Sequence, residues 1–239
     1  MIKHKSFAHG WFYHYRIHSA KTNKLCENGF SELKDYLENI FDDCPDEHFN
    51  KGPRSSKLKL DLGIRAKSLR THDICKWAEK GLKWNNYQTA HSNVQVFMLQ
   101  HDKNTIGVEV PIWIKPVEMN NFENIFNTDE VLSGHIDLLR VNDDKIEIWD
   151  YKPNAHREKY ASTQVYFYAL MLAKRTQMEL NKFRCGYFDR HNAFIFNPRM
   201  EFLDKAIKKC REQRFLSISK NKSFRKCRES QKVLMQKEN

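Results

Sequence analysis

The chain has 239 residues, 40% hydrophobic and 13% aromatic, which is ample apolar material for a core and too much for a disordered tail. Forty-one Lys and Arg against thirty Asp and Glu leave a net charge of +11, which points to a polyanionic partner, nucleic acid before others, or else to a surface that is basic for solubility alone. No apolar run approaches the ~18–20 residues that span a bilayer, and the opening MIKHKSFAHGWFYHYR has no apolar signal segment, so a cytoplasmic protein without membrane contact is expected.

Residues 1–89 read as a helical N-terminal region. Phe30, Leu33, Leu37 and Phe41 recur at helical spacing, with Ser31 placed to cap that helix. Residues 42–60 are charged and contain Pro and Ser, so they read as a loop. Further helices are expected from Lys67 to Leu82 and from Ala90 to Gln100. The texture changes after Asp102-Lys103-Asn104. Thr105–Ile114 is rich in β-branched and aromatic residues and reads as a strand. A loop over 115–129 separates it from a second strand, Val131–Val141. The tight turn Asn142-Asp143-Asp144 leads to a third, Lys145–Lys152, which Pro153 stops. A helix from Glu158 to Gln177 and a hairpin of Phe183–Phe188 with Ala193–Phe196 follow. This order predicts an α/β core over residues 90–200, a mixed sheet flanked by helices. Residues 201–239 form a basic tail, with twelve Lys and Arg against five Asp and Glu. It is either a solvated helix or an electrostatic grip on phosphates. The six cysteines contain no C-x-x-C pair, so reduced thiols are expected rather than disulfides or a zinc ribbon.

Three stretches carry chemistry together: Ser133-Gly134-His135-Ile136-Asp137, Trp149-Asp150-Tyr151-Lys152 and Gln164-Val165-Tyr166-Phe167-Tyr168. In a strand, residues i and i+2 share a face, so Asp150 and Lys152 project together while Tyr151 points away and leaves its carbonyl between them. The short meander can bring Asp137 beside Asp150. Two carboxylates and a backbone oxygen suit a hard cation, Mg²⁺ or Mn²⁺. A lysine beside such an ion can position the attacking water and counter transition-state charge. Gln164 and Tyr168, four apart on the next helix, share a face and can orient Lys152 or hold a phosphate. Each piece alone is common, and an exposed ion pair or a half-buried aromatic would explain it. The ordered set of G-x-x-D, turn, D-x-K and Q-x-x-x-Y is far more specific.

This ordered set resembles the PD-(D/E)xK nuclease superfamily, in its RecB-like and lambda-exonuclease-like branch, over roughly residues 90–196. Glu109-Val110-Pro111 is similar to the acidic strand that precedes G-x-x-D in that branch. The resemblance implies a restriction-endonuclease-like core and divalent-metal cleavage of DNA, single- or double-stranded. It implies Asp137, Asp150 and the Tyr151 carbonyl as metal ligands, Lys152 as the catalytic lysine, and Gln164 and Tyr168 as the branch's marker pair. Some relatives add a helical histidine ligand. Of His72, His91 and His101, His91 is preferred because its helix runs straight into the Glu109 strand. The iron–sulfur cluster of some RecB-like nucleases needs three grouped C-terminal cysteines. Cys185, Cys210 and Cys227 are too far apart, so no cluster is expected. The leading expectation is a metal-dependent DNA nuclease, an exonuclease or one that prefers ends or single strands. The alternative is a catalytically inactive DNA-binding protein on the same fold.

Overall fold

Eight strands form one mixed sheet in the order β1-β2-β4-β5-β6-β7-β8-β3, in a computed structural model that describes residues 1–208. Its centre is the predicted meander. The strands β4 (Thr105–Ile114), β5 (Leu132–Asn142) and β6 (Lys145–Tyr151) pair antiparallel, and β7 (Phe183–Phe188) joins β6 in parallel. The β5–β6 turn works as the sequence suggests. Asn142 pairs with Lys145 across Asp143 and Asp144, both left-handed (φ 49° and 56°), the two-residue turn whose twist matches the strands. The parallel step from β6 to β7 needs a crossover, supplied by α6 (Ala161–Thr176). β8 (Ala193–Phe196) closes the hairpin on β7.

The first 89 residues are not purely helical. β1 (Ile2–Ala8) and β2 (Phe12–His18) form a hairpin, and β2 pairs with β4 to extend the sheet at one edge. The pattern hides them because β1 is an edge strand whose only fully buried side chain is Phe7. Helices α1 (Ser19–Cys26) and α2 (Ser31–Asp43) follow, and α2 buries Leu33 and Leu37 as its spacing predicts, with Ile40 buried in place of the expected Phe41, which is only half-buried. Ser31 is the first helical residue rather than the cap, its hydroxyl turned to Glu32. The helix expected from Lys67 starts later. Lys67–Leu69 is β3, paired with β8, and α3 (Asp73–Trp84) begins after His72, whose side chain accepts a hydrogen bond from the Ile74 N–H at 3.2 Å and so caps it. α4 spans Ala90–His101. Between β4 and β5 the expected loop contains a short helix, α5 (Phe122–Phe126).

The sheet is covered on both faces. One core gathers α1, α2 and α6 against residues such as Ile112, Ile136 and Ile148; the other packs α3 and α4 against Val108, Leu138 and Trp149. This is the α/β, restriction-endonuclease-like arrangement expected from the sequence. Residues 200–208 are helical and send Leu203 into the first core, so the chain's packed part continues past residue 200. The rest of the basic tail, with Cys210 and Cys227, lies outside the described residues. Cys26, Cys44, Cys75 and Cys185 are free thiols. Among the described residues no helix is long and apolar enough to cross a membrane.

Candidate active site

At the C-terminal end of β6 the sheet changes from antiparallel to parallel pairing, and a cleft of about 620 Å³ opens there. Asp150 and Lys152 stand at this strand end. The Lys152 N–H donates to the Phe188 carbonyl at 2.9 Å, which fixes the backbone, and Lys152 Nζ lies 2.8 Å from Asp150 Oδ2. Asp137 comes from the neighbouring β5 and accepts the Tyr151 N–H at 2.9 Å. Glu109 sits opposite Asp137, because β4 and β5 pair Val108 with Leu138 and Val110 with Ile136 on either side. Its backbone is left-handed (φ 51°), an unusual conformation for a glutamate within a strand and one that costs on the order of 1–3 kcal/mol.

Two helices complete the cleft. α4 contributes His91, whose Nε2 is 3.8 Å from Asp137 Oδ2, and Gln95, whose amide donates to Glu109 Oε1 at 2.6 Å. α6 contributes Gln164, whose amide Nε2 donates to Asp150 Oδ1 at 2.9 Å and to the Tyr168 hydroxyl at 2.8 Å. The cleft therefore brings together Asp137, Asp150, Lys152, Gln164, Tyr168 and His91, as the motif reading expects. The Tyr151 side chain turns away into the second core, edge-on to Phe188. His72 and His101 do not line the cleft. His72 caps α3, and His101 packs on Phe97 and Trp84.

Gly134 of G-x-x-D has a steric role. A Cβ there would lie 2.4 Å from Ser55 Oγ and 2.5 Å from Tyr168 Cε1, so only glycine lets the Tyr168 ring lie against β5. Sequence reasoning missed Gln95, Arg54 and Tyr13. Gln95 was within reach, because it follows His91 by four on one helix. Arg54 and Tyr13 arrive from distant segments. Tyr13 stacks on His135 at 3.7 Å, Arg54 NH2 is 2.9 Å from His135 Nδ1, and no local pattern announces either contact.

The electrostatics of the cleft are unbalanced. Burial pushes Asp150 up to about 7, with Asp137 adding to the rise, and burial pushes Asp137 up to about 6 despite the Lys152 charge. Glu109 rises to about 8, through burial first and then repulsion from Asp137. Burial alone would lower Lys152, but Asp150 and Asp137 outweigh it and hold the ammonium above its usual value. Burial also lowers His91, against the opposing pull of Asp150. A second buried charge cluster shows what balance looks like. Arg140 donates to Asp102 at 2.8 Å and to Glu147 at 2.6 Å, and Arg184 adds a second arginine contact to Glu147 at 3.1 Å. There Asp102 ends below its usual value, because Arg140 and its hydrogen bonds overcome burial. In the cleft three carboxylates face one close ammonium. Asp150 Oδ2, buried, receives no aligned hydrogen bond among the described residues. All-oxygen ligation by these acids, with an imidazole beside them, fits a hard divalent cation.

Another group, His9, Cys44 and Asp46, could also offer ligands, but His9 already uses both nitrogens, bonding His135 and Asp46 at 2.9 Å each. No curated protein matches the chain in sequence. A family model described as the PD-(D/E)XK nuclease superfamily matches residues 6–232, nearly the whole length. The fold, the strand-end D-x-K and the facing acids agree with that match: the chain belongs to the PD-(D/E)XK nuclease superfamily.

Proposed function

We propose that the protein is a Mg²⁺- or Mn²⁺-dependent deoxyribonuclease of the RecB-like and lambda-exonuclease-like type, hydrolysing phosphodiester bonds at ends or in single strands. One observation carries the reading: Asp137, Asp150 and Lys152 converge in one cleft with Glu109 opposite, so that three buried carboxyl groups share a single close ammonium.

In this reading Asp137, Asp150, the Tyr151 carbonyl and His91 hold the cation, with Glu109 at the same cleft. When bound, the ion polarises the scissile phosphate and acidifies water. Lys152, kept as an ammonium by Asp150 and Asp137, is a donor that orients the attacking water and offsets charge developing on the phosphate. Gln164 is a positioning residue. It ties Asp150 Oδ1 and so leaves Oδ2 turned to Lys152, while Tyr168 accepts its second N–H and fixes the amide. Gln95 does the same for Glu109.

The test is cleavage of end-labelled single- and double-stranded DNA with Mg²⁺, with Mn²⁺ and with chelator. Metal-dependent hydrolysis that disappears in Asp137→Ala supports the reading. DNA binding without cleavage under any of these metals would identify a DNA-binding protein on a nuclease fold instead.

A further inference from the structure

The turn between β1 and β2 carries two large rings in solvent at the rim of the cleft. Gly10 makes the reversal with φ +73°, and Trp11 and Phe12 follow it, 77% and 68% exposed, both lining the cleft mouth. Neither ring has an aromatic or cationic partner among the described residues. The hairpin beneath them is tightly held. Tyr13 stacks flat on His135 (3.7 Å, 3° between planes) with the Arg54 guanidinium 5.0 Å from its ring. His9 stacks on Phe49 at 3.9 Å and bonds His135 and Asp46. A fixed stem thus presents two free aromatic faces beside the acids and Lys152.

The rest of the mouth is cationic and aromatic as well. Arg16 and Arg54 line it, and Arg16 lies 5.9 Å from the ring of Tyr87, itself 37% exposed. Cations that neutralise phosphates together with exposed rings that stack on bases are the recurring means of holding a single strand. A duplex offers few free base faces, because its bases already stack on one another.

We infer that Trp11 and Phe12 stack on unpaired bases next to the phosphate held in the cleft, so that the site takes single-stranded DNA or a frayed end in preference to paired duplex. This rests on the nuclease reading for the cleft and adds the residues that select the unpaired strand. The rings are positioning groups for the strand.

The experiment compares wild type with Trp11→Ala/Phe12→Ala and with the ring-keeping Trp11→Phe/Phe12→Tyr. Binding of a fluorescent 20-nucleotide oligothymidylate and of a blunt duplex is measured in Ca²⁺, and single-turnover cleavage of both in Mg²⁺. The double alanine variant should bind and cut the single strand about tenfold less well or worse, on the scale of one lost stacking contact. Its duplex activity should hold, and the ring-keeping variant should stay near wild type. Both side chains are exposed, so folding is preserved, and an unchanged thermal melt checks it. Equal handling of the single strand by all three proteins overturns the inference, as does an equal loss on both substrates. Binding reads stacking even without turnover. A wild type that binds the single strand through these rings but never cuts sinks the nuclease reading and leaves this one standing.

Discussion

Lys152 is the residue on which chemistry and simple charge part company. Its ammonium is compact and lies 2.8 Å from Asp150 Oδ2, whereas an arginine would replace it with a broad planar fork. If Lys152 positions water, Lys152→Arg and Lys152→Ala should both lose on the order of 100-fold or more in single-turnover cleavage, the scale of one lost transition-state contact, with binding in Ca²⁺ little changed. Near-native turnover by the arginine variant would reduce the residue to a phosphate grip. Gly134 gives a purely steric counterpart. Gly134→Ala drives a methyl into the Tyr168 ring and Ser55 Oγ, both of which are buried. A stability loss of about 1–3 kcal/mol is expected in denaturant melts, as for overpacking elsewhere, with a fall in turnover as the Tyr168–Gln164–Asp150 chain shifts. At this scale the motifs made Asp137, Asp150, Lys152, Gln164 and Tyr168 legible, because strand and helix periodicities put them on shared faces. Tyr13, Arg54 and His135 were not legible as a group, since their contacts join segments some 40 to 120 positions apart.

Among the elements, α6 does two jobs. It is the crossover that makes β6 and β7 parallel, and it carries the amide that orients Asp150. Tyr168→Phe separates them, because it keeps the ring against Gly134 and removes only the hydroxyl that accepts from Gln164. Stability should fall by about 1–3 kcal/mol, because the buried Gln164 N–H loses its acceptor. Turnover should fall while KM for DNA stays put; unchanged turnover would show that the pair is structural. The strands of the meander and the β7–β8 hairpin were readable because their β-branched and aromatic runs are bounded by turn residues. β1, β2 and β3 were not. β1 carries Lys3, His4, Lys5 and Ser6 in a row on an exposed edge, and β3 has three residues with a histidine-capped helix starting four positions after its end, so its local signal merges with that helix.

On the scale of the molecule, the buried acids tie stability to pH and to metal. Glu109, Asp150 and Asp137 titrate at about 8, about 7 and about 6 in the folded protein, above their ordinary values near 4. A folded state with raised acid pKa values holds protons that the unfolded chain releases. Its contribution to stability is therefore full at acid pH and is lost as pH climbs through about 6 to 8. The metal-free protein should melt progressively lower from pH 5.5 to 8.5, and the upward shift caused by Mg²⁺ or Mn²⁺ should grow over the same range as fewer protons compete for the carboxylates. Thermal melts with chelator and with metal at each pH check this; melting curves parallel at every pH would contradict it. The chain's net charge of +11 favours a nucleic acid as the polyanion, and Arg16 and Arg54 line the same cleft as the carboxylates. The proposed hydrolysis of DNA through a cation held by Asp137 and Asp150 is tested most directly by single-turnover cleavage of end-labelled DNA by wild type, Asp150→Asn and Asp137→Asn across a Mg²⁺ titration. Wild type should cleave only with divalent metal, and each variant should lose at least ~100-fold in rate while retaining DNA binding, whereas cleavage at the wild-type rate by either variant, or without any divalent metal, would contradict the metal assignment.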